Sequence, residues 1–211
     1  FLFGTDEYGR DLFCAIGMGA RFSLIFAILV SAINLTIGAV IGAIEGYYGG
    51  AVDMIIERII DILARVPFMI VATLFQLHLA QKVGIVPSFL FAFVLTGWIG
   101  MSALTRKQFY RFKSQEFVMA ARTLGASDKR LMFKHIFPNG IGTIVTSIAL
   151  VIPAMIYSET NLSYLGIINL EAGNTTSVGT LIAAGQKSIM ANAGFVAFFP
   201  CAFLCLLMLS F

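Results

Sequence analysis

Apolar residues occupy this chain in long uninterrupted stretches, not in the short periodic stripes of a soluble domain. Between consecutive charged residues lie five charge-free runs, at 22–44, 66–81, 83–105, 135–158 and 188–211. A helix needs roughly 20 predominantly apolar residues to cross the hydrocarbon core of a bilayer. Four runs meet that length directly, and the run at 66–81 is extended by the apolar residues between Met54 and Leu63. The pattern predicts an all-α polytopic membrane protein with five spanning helices, forming a single transmembrane domain over 1–211.

Breakers and caps set the expected boundaries. Residues 1–20 contain GTDEYGRDLF, a polar, turn-rich stretch broken by Gly4 and Gly9, and read as an external segment. The first spanning helix covers about 20–46 and stops at the Gly-Tyr-Tyr-Gly-Gly of 46–50. The second starts near Asp53 as N-cap and runs to about His78, with a kink at Pro67. Its first turns carry Glu57, Arg58, Asp61 and Arg65, with Glu57–Asp61 and Asp61–Arg65 at i, i+4. The third covers about 86–105, with Pro87 in its first turn. Within 106–139, Gln115 to Leu124 reads as a short helix stopped by Gly125. Ser127 or Asp128 then caps a second short helix, Lys129 to Phe137, broken by Pro138. The fourth spanning helix covers about 140–158 with Pro153 inside it, and the fifth runs from about Ala193 to the end. Between them, 159–192 reads as an external loop rich in polar residues, among them Asn161, Asn169, Asn174, Thr175, Thr176 and Ser177.

Composition agrees: 59% of residues are apolar and 12% are charged, against roughly 25% charged in soluble domains. A soluble enzyme and a disordered tail are excluded. Charge placement adds orientation. Eight of the 14 Lys and Arg lie between Arg106 and Lys134, opposed there only by Glu116 and Asp128. The positive-inside rule puts that loop in the cytoplasm. Threading outward makes the 45–65 connection cytoplasmic and the 78–86 and 159–187 connections external, with four basic residues outside against ten inside. The same threading puts residue 1 outside without a signal peptide, so the expectation is a six-helix parent with both ends in the cytoplasm.

Candidate chemistry is sparse. Cys14, Cys201 and Cys205 are too few and scattered for a disulfide framework. Cys201 and Cys205 stand at i, i+4 with no His, Asp or Glu nearby, and read as small hydrophobes. No G-x-x-x-x-G-K-[ST] occurs, so the chain carries no phosphate-cradling loop of that kind. With no metal set and no nucleophile–base pair in the pattern, the chain is expected to hold no cofactor and to be no enzyme by itself. Asn34, inside the first run, and Glu159, at the external end of the fourth helix, are the candidates for a solute path. For Asn34 helix–helix hydrogen bonding is favoured over the path, whereas for Glu159 a water-filled vestibule and a resting place at the interface fit equally well. Gly38 and Gly42, with Ala39 and Ala43, give the first helix a small-residue face for close packing.

The most informative stretch is EFVMAARTLGASDKRLMFKHIFPN, from Glu116 to Asn139: a helix, a glycine turn and a second helix, flanked by basic residues. Ala120, Ala121, Gly125 and Ala126 are small and would let a partner approach the backbone. On physical grounds alone it is either such a docking element or an amphipathic hairpin on an anionic lipid surface. It resembles the EAA signature of ABC-transporter permeases of binding-protein-dependent importers. Glu116 opens the segment, Ala120 and Ala121 supply the alanine pair, Gly125 is the glycine, and His135, Phe137, Pro138 and Asn139 match its later part. Ile136 is slightly displaced from that pattern. GTDEYGRDLF at 4–13, GYYGG at 46–50 followed by Asp53, Arg58, Asp61 and Pro67, and Glu159 with LSYLG at 162–166 resemble the C-type permeases of dipeptide and oligopeptide importers. The departure is at 167–185, where that branch carries a tryptophan-containing loop.

The resemblance implies the transmembrane domain of a type I ABC importer in a bacterial plasma membrane. It implies that Glu116, Ala120, Ala121, Arg122, Leu124, Gly125, Ala126, Ser127 and Asp128 form the coupling segment that docks on a separate ATPase. The implied partners are a second homologous permease, two cytoplasmic P-loop ATPase subunits that bind the ATP, an external solute-binding lipoprotein, a peptide substrate and the bilayer, with no nucleic acid. Related permeases carry nickel and other small solutes, so these stay open as cargo. A stand-alone secondary transporter is a second reading, disfavoured because no Asp, Glu, Lys or Arg lies within the five runs. A membrane anchor that recruits a protein through 106–139 is a third.

Overall fold

The computed structural model describes residues 2–5, 9–167, 170, 176–189 and 194–211. Eleven helices follow one another among them: α1 (Leu12–Tyr48), α2 (Gly50–Ala64), α3 (Phe68–His78), α4 (Ala80–Val83), α5 (Ile85–Gly97), α6 (Ile99–Lys113), α7 (Glu116–Thr123), α8 (Asp128–Arg130), α9 (Phe137–Tyr164), α10 (Val178–Ile189) and α11 (Phe195–Ser210). A π-helical stretch, Leu131–Ile136, joins α8 to α9. Three continuous helical segments are long and apolar enough to cross a membrane: Leu12–Tyr48, Ile85–Lys113 and Asp128–Tyr164. The pair α2 and α3 adds a fourth if it forms one broken span, and α11 is apolar but 16 residues long.

Several boundaries differ from the sequence expectation. The first helix starts at Leu12, not near residue 20, because the Asp11 carboxylate accepts the Phe13 N–H at 3.0 Å and caps an apolar segment. Asp53 is not the N-cap of α2: Gly49, with φ 66°, holds that place, and Asp53 lies in the first turn with its carboxylate turned to α6. The break at Pro67 is complete, ending α2 at Ala64. Val66, the residue before the proline, is biased out of the helical region. Asp61 reaches Arg58 at 3.8 Å, one turn back, instead of the expected Arg65.

Pro138 does not break the chain. A π turn widens the backbone just ahead of it, where the proline ring would otherwise meet the preceding turn. The Asn139 amide donates to the His135 carbonyl at 2.6 Å, and the helix continues to Tyr164. Residues 106–113 likewise continue α6, so the expected 106–139 loop reduces to α7 and its flanking turns. Within 159–192, α10 occupies 178–189 where a loop was expected. Ser177 and Thr180 cap it reciprocally, each side-chain oxygen accepting the other's backbone N–H at 3.3 and 3.0 Å. Asn169, Asn174 and Thr175 lie outside the described residues, as do 168–169 and 171–175 of the 167–185 departure.

Packing divides the chain into two compact units. The first comprises residues 1–30, 68–93 and 150–211. One core there gathers Phe26, Val30, Val71, Phe89, Phe93 and Leu162, and a second joins Leu12, Ile16, Leu181 and Val196. The second unit comprises 31–67 and 94–149. In it, the glycines of α1 lie directly on α6. A Cβ on Gly38 would stand 2.6 Å from the Trp98 carbonyl, one on Gly46 would stand 2.5 Å from Phe109 Cβ, and one on Gly42 would collide with the Ser102 carbonyl. The small-residue face expected at Gly38 and Gly42 is thus a backbone-to-backbone contact, extended one turn further by Gly46.

Candidate functional site: the α7 turn and its supports

The segment expected to couple comprises α7, a tight turn and the start of the next helix, all in the second unit. Gln115 in extended conformation (φ −73°, ψ 147°) opens α7, and Glu116 in the first turn lies favourably at the positive end of the helix. The helix ends in a Schellman arrangement: Ala126 N–H donates to the Ala121 carbonyl at 3.1 Å and Gly125 N–H to the Arg122 carbonyl at 3.0 Å. Gly125 has φ +82°, the left-handed region that glycine enters without steric cost, and open space surrounds it. Ser127 then holds the N-cap position of α8, with no side-chain cap bond, and Asp128 stands in the first turn.

One side of α7 is anchored. Val118 is buried on Phe109, Tyr47, Leu131, Met132 and Ile136, and Ala121 and Ala126 pack half-buried on the same core. The other side is presented: Phe117, Met119 and Ala120 are exposed, and Leu124 is 87% exposed. Of the nine residues read as the coupling segment, Ala121 and Ala126 therefore support the turn. Glu116, Ala120, Arg122, Leu124, Gly125, Ser127 and Asp128 are exposed.

Polar contacts tie this segment to the rest of the unit. The Tyr47 hydroxyl, at the end of α1, donates to Asp128 Oδ1 at 2.5 Å and accepts from Arg122 Nη2 at 3.3 Å. Beside it, Arg106 of α6 holds α2 through Asp53 at 2.5 Å and Glu57 at 2.8 Å, and Tyr110 donates to Asp53 at 2.8 Å. Glu45, fully buried, accepts from Ser102 at 3.1 Å. Glu45, Asp53 and Glu57 bring carboxylate oxygens within 4.8 Å of one another, a spacing a metal ion could use. The Arg106 guanidinium already pairs with Asp53 and Glu57, tying α2 to α6, and Glu45 of α1 lies beside that ion-paired knot on its Ser102 hydrogen bond. The sequence reading missed Tyr47 and Glu45. The GYYGG motif was treated as a helix stop, and Glu45 as the charge that ends an apolar run.

The two path candidates are both enclosed within the chain. Asn34 is 2% exposed and lies against Gly97, where a Cβ would meet its amide nitrogen. Glu159 is fully buried in the first unit, accepting from Ser23 at 2.7 Å and Ser163 at 2.9 Å, with Ser177 hydrogen-bonded to it as well. Neither the water-filled vestibule nor the interface expected for Glu159 matches this position. Its carboxylate instead joins α1, α9 and the start of α10.

Known proteins share this layout of sequence. The model of the family described as "Binding-protein-dependent transport system inner membrane component" matches residues 34–211. The oligopeptide transport system permease protein OppC of Bacillus subtilis is 38% identical over 209 residues, covering 99% of this chain and 67% of that protein. The dipeptide transport system permease protein DppC of the same species is 35% identical, over 99% of this chain and 64% of that protein. DppC of Lactococcus lactis is 40% identical over 190 residues, covering 90% and 54%. The chain thus spans 54% to 67% of the length of these relatives. With its several apolar helices, this chain belongs to the binding-protein-dependent transport system inner membrane component family, the membrane-spanning part of type I ABC importers in the bacterial plasma membrane.

Proposed function

We propose that this chain serves as a permease subunit of an ATP-driven importer of di- and oligopeptides, passing solute between membrane helices while separate subunits hydrolyse ATP. The observation that carries the reading is the exposed face of α7: Phe117, Ala120 and Leu124 stand outward on a helix anchored from behind by Val118. An exposed apolar surface of this kind is the property of a docking site. The printed names of the relatives support peptide as cargo. The lack of a P-loop sequence supports an ATPase on another chain.

In this reading the assembly holds this chain, a second homologous permease, two cytoplasmic P-loop ATPases against α7, and an external solute-binding lipoprotein. Residues 106–139 face the cytoplasm. When ATP closes the ATPases on one another, α7 is displaced with them. Because Val118, Ala121 and Ala126 sit in the core with Tyr47, Phe109, Ile136 and Phe137, the displacement passes to α1, α6 and, through the π turn, α9. ATP drives the change only as far as the docked surfaces differ in free energy between the two states.

The test is gentle purification of the tagged full-length protein from native membranes, followed by mass spectrometry and uptake in liposomes. Two P-loop ATPases, a second permease and a binding protein loaded with peptide are the expected companions, with uptake dependent on ATP. A binding protein loaded with nickel or another small solute would move the cargo to that class. Recovery of this chain alone, competent for uptake without ATP, would replace the reading with a secondary transporter.

A further inference from the structure

Apolar contacts fix how deeply α7 is seated but not its rotation. Burial of Val118, Leu131 and Ile136 is non-directional, and a smooth contact of this kind lets a two-turn helix roll or slide. Direction has to come from hydrogen bonds, whose strength falls steeply with angle. At the Gly125 turn both bonds converge on one atom. The Tyr47 hydroxyl takes a hydrogen bond from Arg122, in the last turn of α7, and gives one to Asp128, in the first turn of α8. Leu124, Gly125, Ala126 and Ser127 form the turn between these two partners. The Arg122 guanidinium also stands 5.9 Å from the centroid of the Tyr47 ring. Both partners are of charged residue types, so these bonds are stronger than neutral ones. Tyr47 is 8% exposed and belongs to the core beneath α7, which holds its hydroxyl at this position.

We infer that Tyr47 is a positioning residue for energy coupling: its hydroxyl pins both sides of the docking turn to the end of α1, so that movement of the turn is delivered to that helix. This rests on the docking role proposed above for α7. It adds that, beside the apolar contact of Val118 with Tyr47, the directional part of the connection to α1 runs through one hydrogen-bonding atom. Tyr48, next in sequence, is 56% exposed and stands edge-on to the Tyr47 ring at 5.2 Å between centroids, a contact that Tyr48→Phe keeps.

The complete complex, reconstituted in liposomes with its ATPases and binding protein, provides the test, with uptake and hydrolysis measured together. Tyr47→Phe keeps the ring in the core and removes the hydroxyl. The expected result is about a threefold to tenfold fall in solute carried per ATP hydrolysed, with the ATPases still bound. Tyr48→Phe should leave the ratio unchanged. Asp128→Ala should lower the ratio in the same way, and Tyr47→Phe with Asp128→Ala should be little worse than the stronger single variant, as expected of one shared interaction. A merely structural role would lower the amount of complex and leave the ratio intact. Should Tyr47→Phe fail to assemble, Asp128→Ala decides, its ratio read with ATPase binding intact because Asp128 also belongs to the docking segment. An unchanged ratio in these variants overturns the positioning role while leaving the docking role standing. A wild-type complex without ATP-dependent uptake overturns the docking role and this inference together.

Discussion

A larger side chain at Ala121 would have to enter the core beneath α7, between Val118 and the residues of the π turn, whereas one at Ala120 would extend into open space. Overpacking of this kind costs about 1–3 kcal/mol. Ala121→Leu is therefore expected to lower the thermal stability of the purified protein. Ala120→Leu is expected to leave stability unchanged and reduce capture of the ATPase subunit; equal stability losses in the two would show that the helix is oriented otherwise. Gly125 offers a complementary case. Its φ of +82° costs another residue about 1–2 kcal/mol, yet no atom lies near its absent Cβ. Gly125→Arg should still reach the membrane and hydrolyse ATP with its partners while uptake falls, because a long charged side chain then stands in the docked surface. Normal uptake in that variant would contradict the role of the turn. The EAA pattern marked both alanines for one role, and only their opposite burial separates support from presentation. Tyr47 was beyond reach of sequence pattern because its partners Arg122 and Asp128 lie 75 and 81 residues away.

At the scale of elements, charge-free runs located the long helices because the bilayer demands apolar length and little else. They located the ends less well, since ends are fixed by single contacts. Asp11 caps α1 so that it starts at Leu12, eight residues before the expected start near residue 20. The π turn lets α9 pass through Pro138, and the Ser177–Thr180 pair starts a helix in a stretch whose composition reads as loop. That pair, three residues apart, was the available sign. The close-packing face at Gly38 and Gly42 of α1 was legible, its extension to Gly46 was not, and its consequence is direct. Gly42→Leu would place atoms inside the backbone of α6 and should separate the two helices, seen as loss of folded protein from the membrane fraction. Gly17→Leu, on the same helix with nothing within 4 Å of the built Cβ, should be tolerated. Matching losses in both would mean that helix propensity, not close approach, sets the requirement.

For the whole molecule, the described polar side chains of the membrane helices are spent largely on internal ties. Glu159 collects three serine hydroxyls, Asn34 lies on Gly97, and the Arg106 knot holds α2 to α6. What this chain presents outward in quantity is apolar surface and, at α7, an anchored helix with an exposed face. In the proposed reading, transport work enters through α7 from a partner. The most direct test places a photo-reactive amino acid at Leu124, 87% exposed on the turn, and a second one at Leu150, 74% exposed on α9. Illumination of native membranes should yield an adduct between Leu124 and a P-loop ATPase, identified by mass spectrometry, and none to that ATPase from Leu150. Adducts to lipid or to other membrane chains alone from Leu124, with the ATPase absent, would contradict the account.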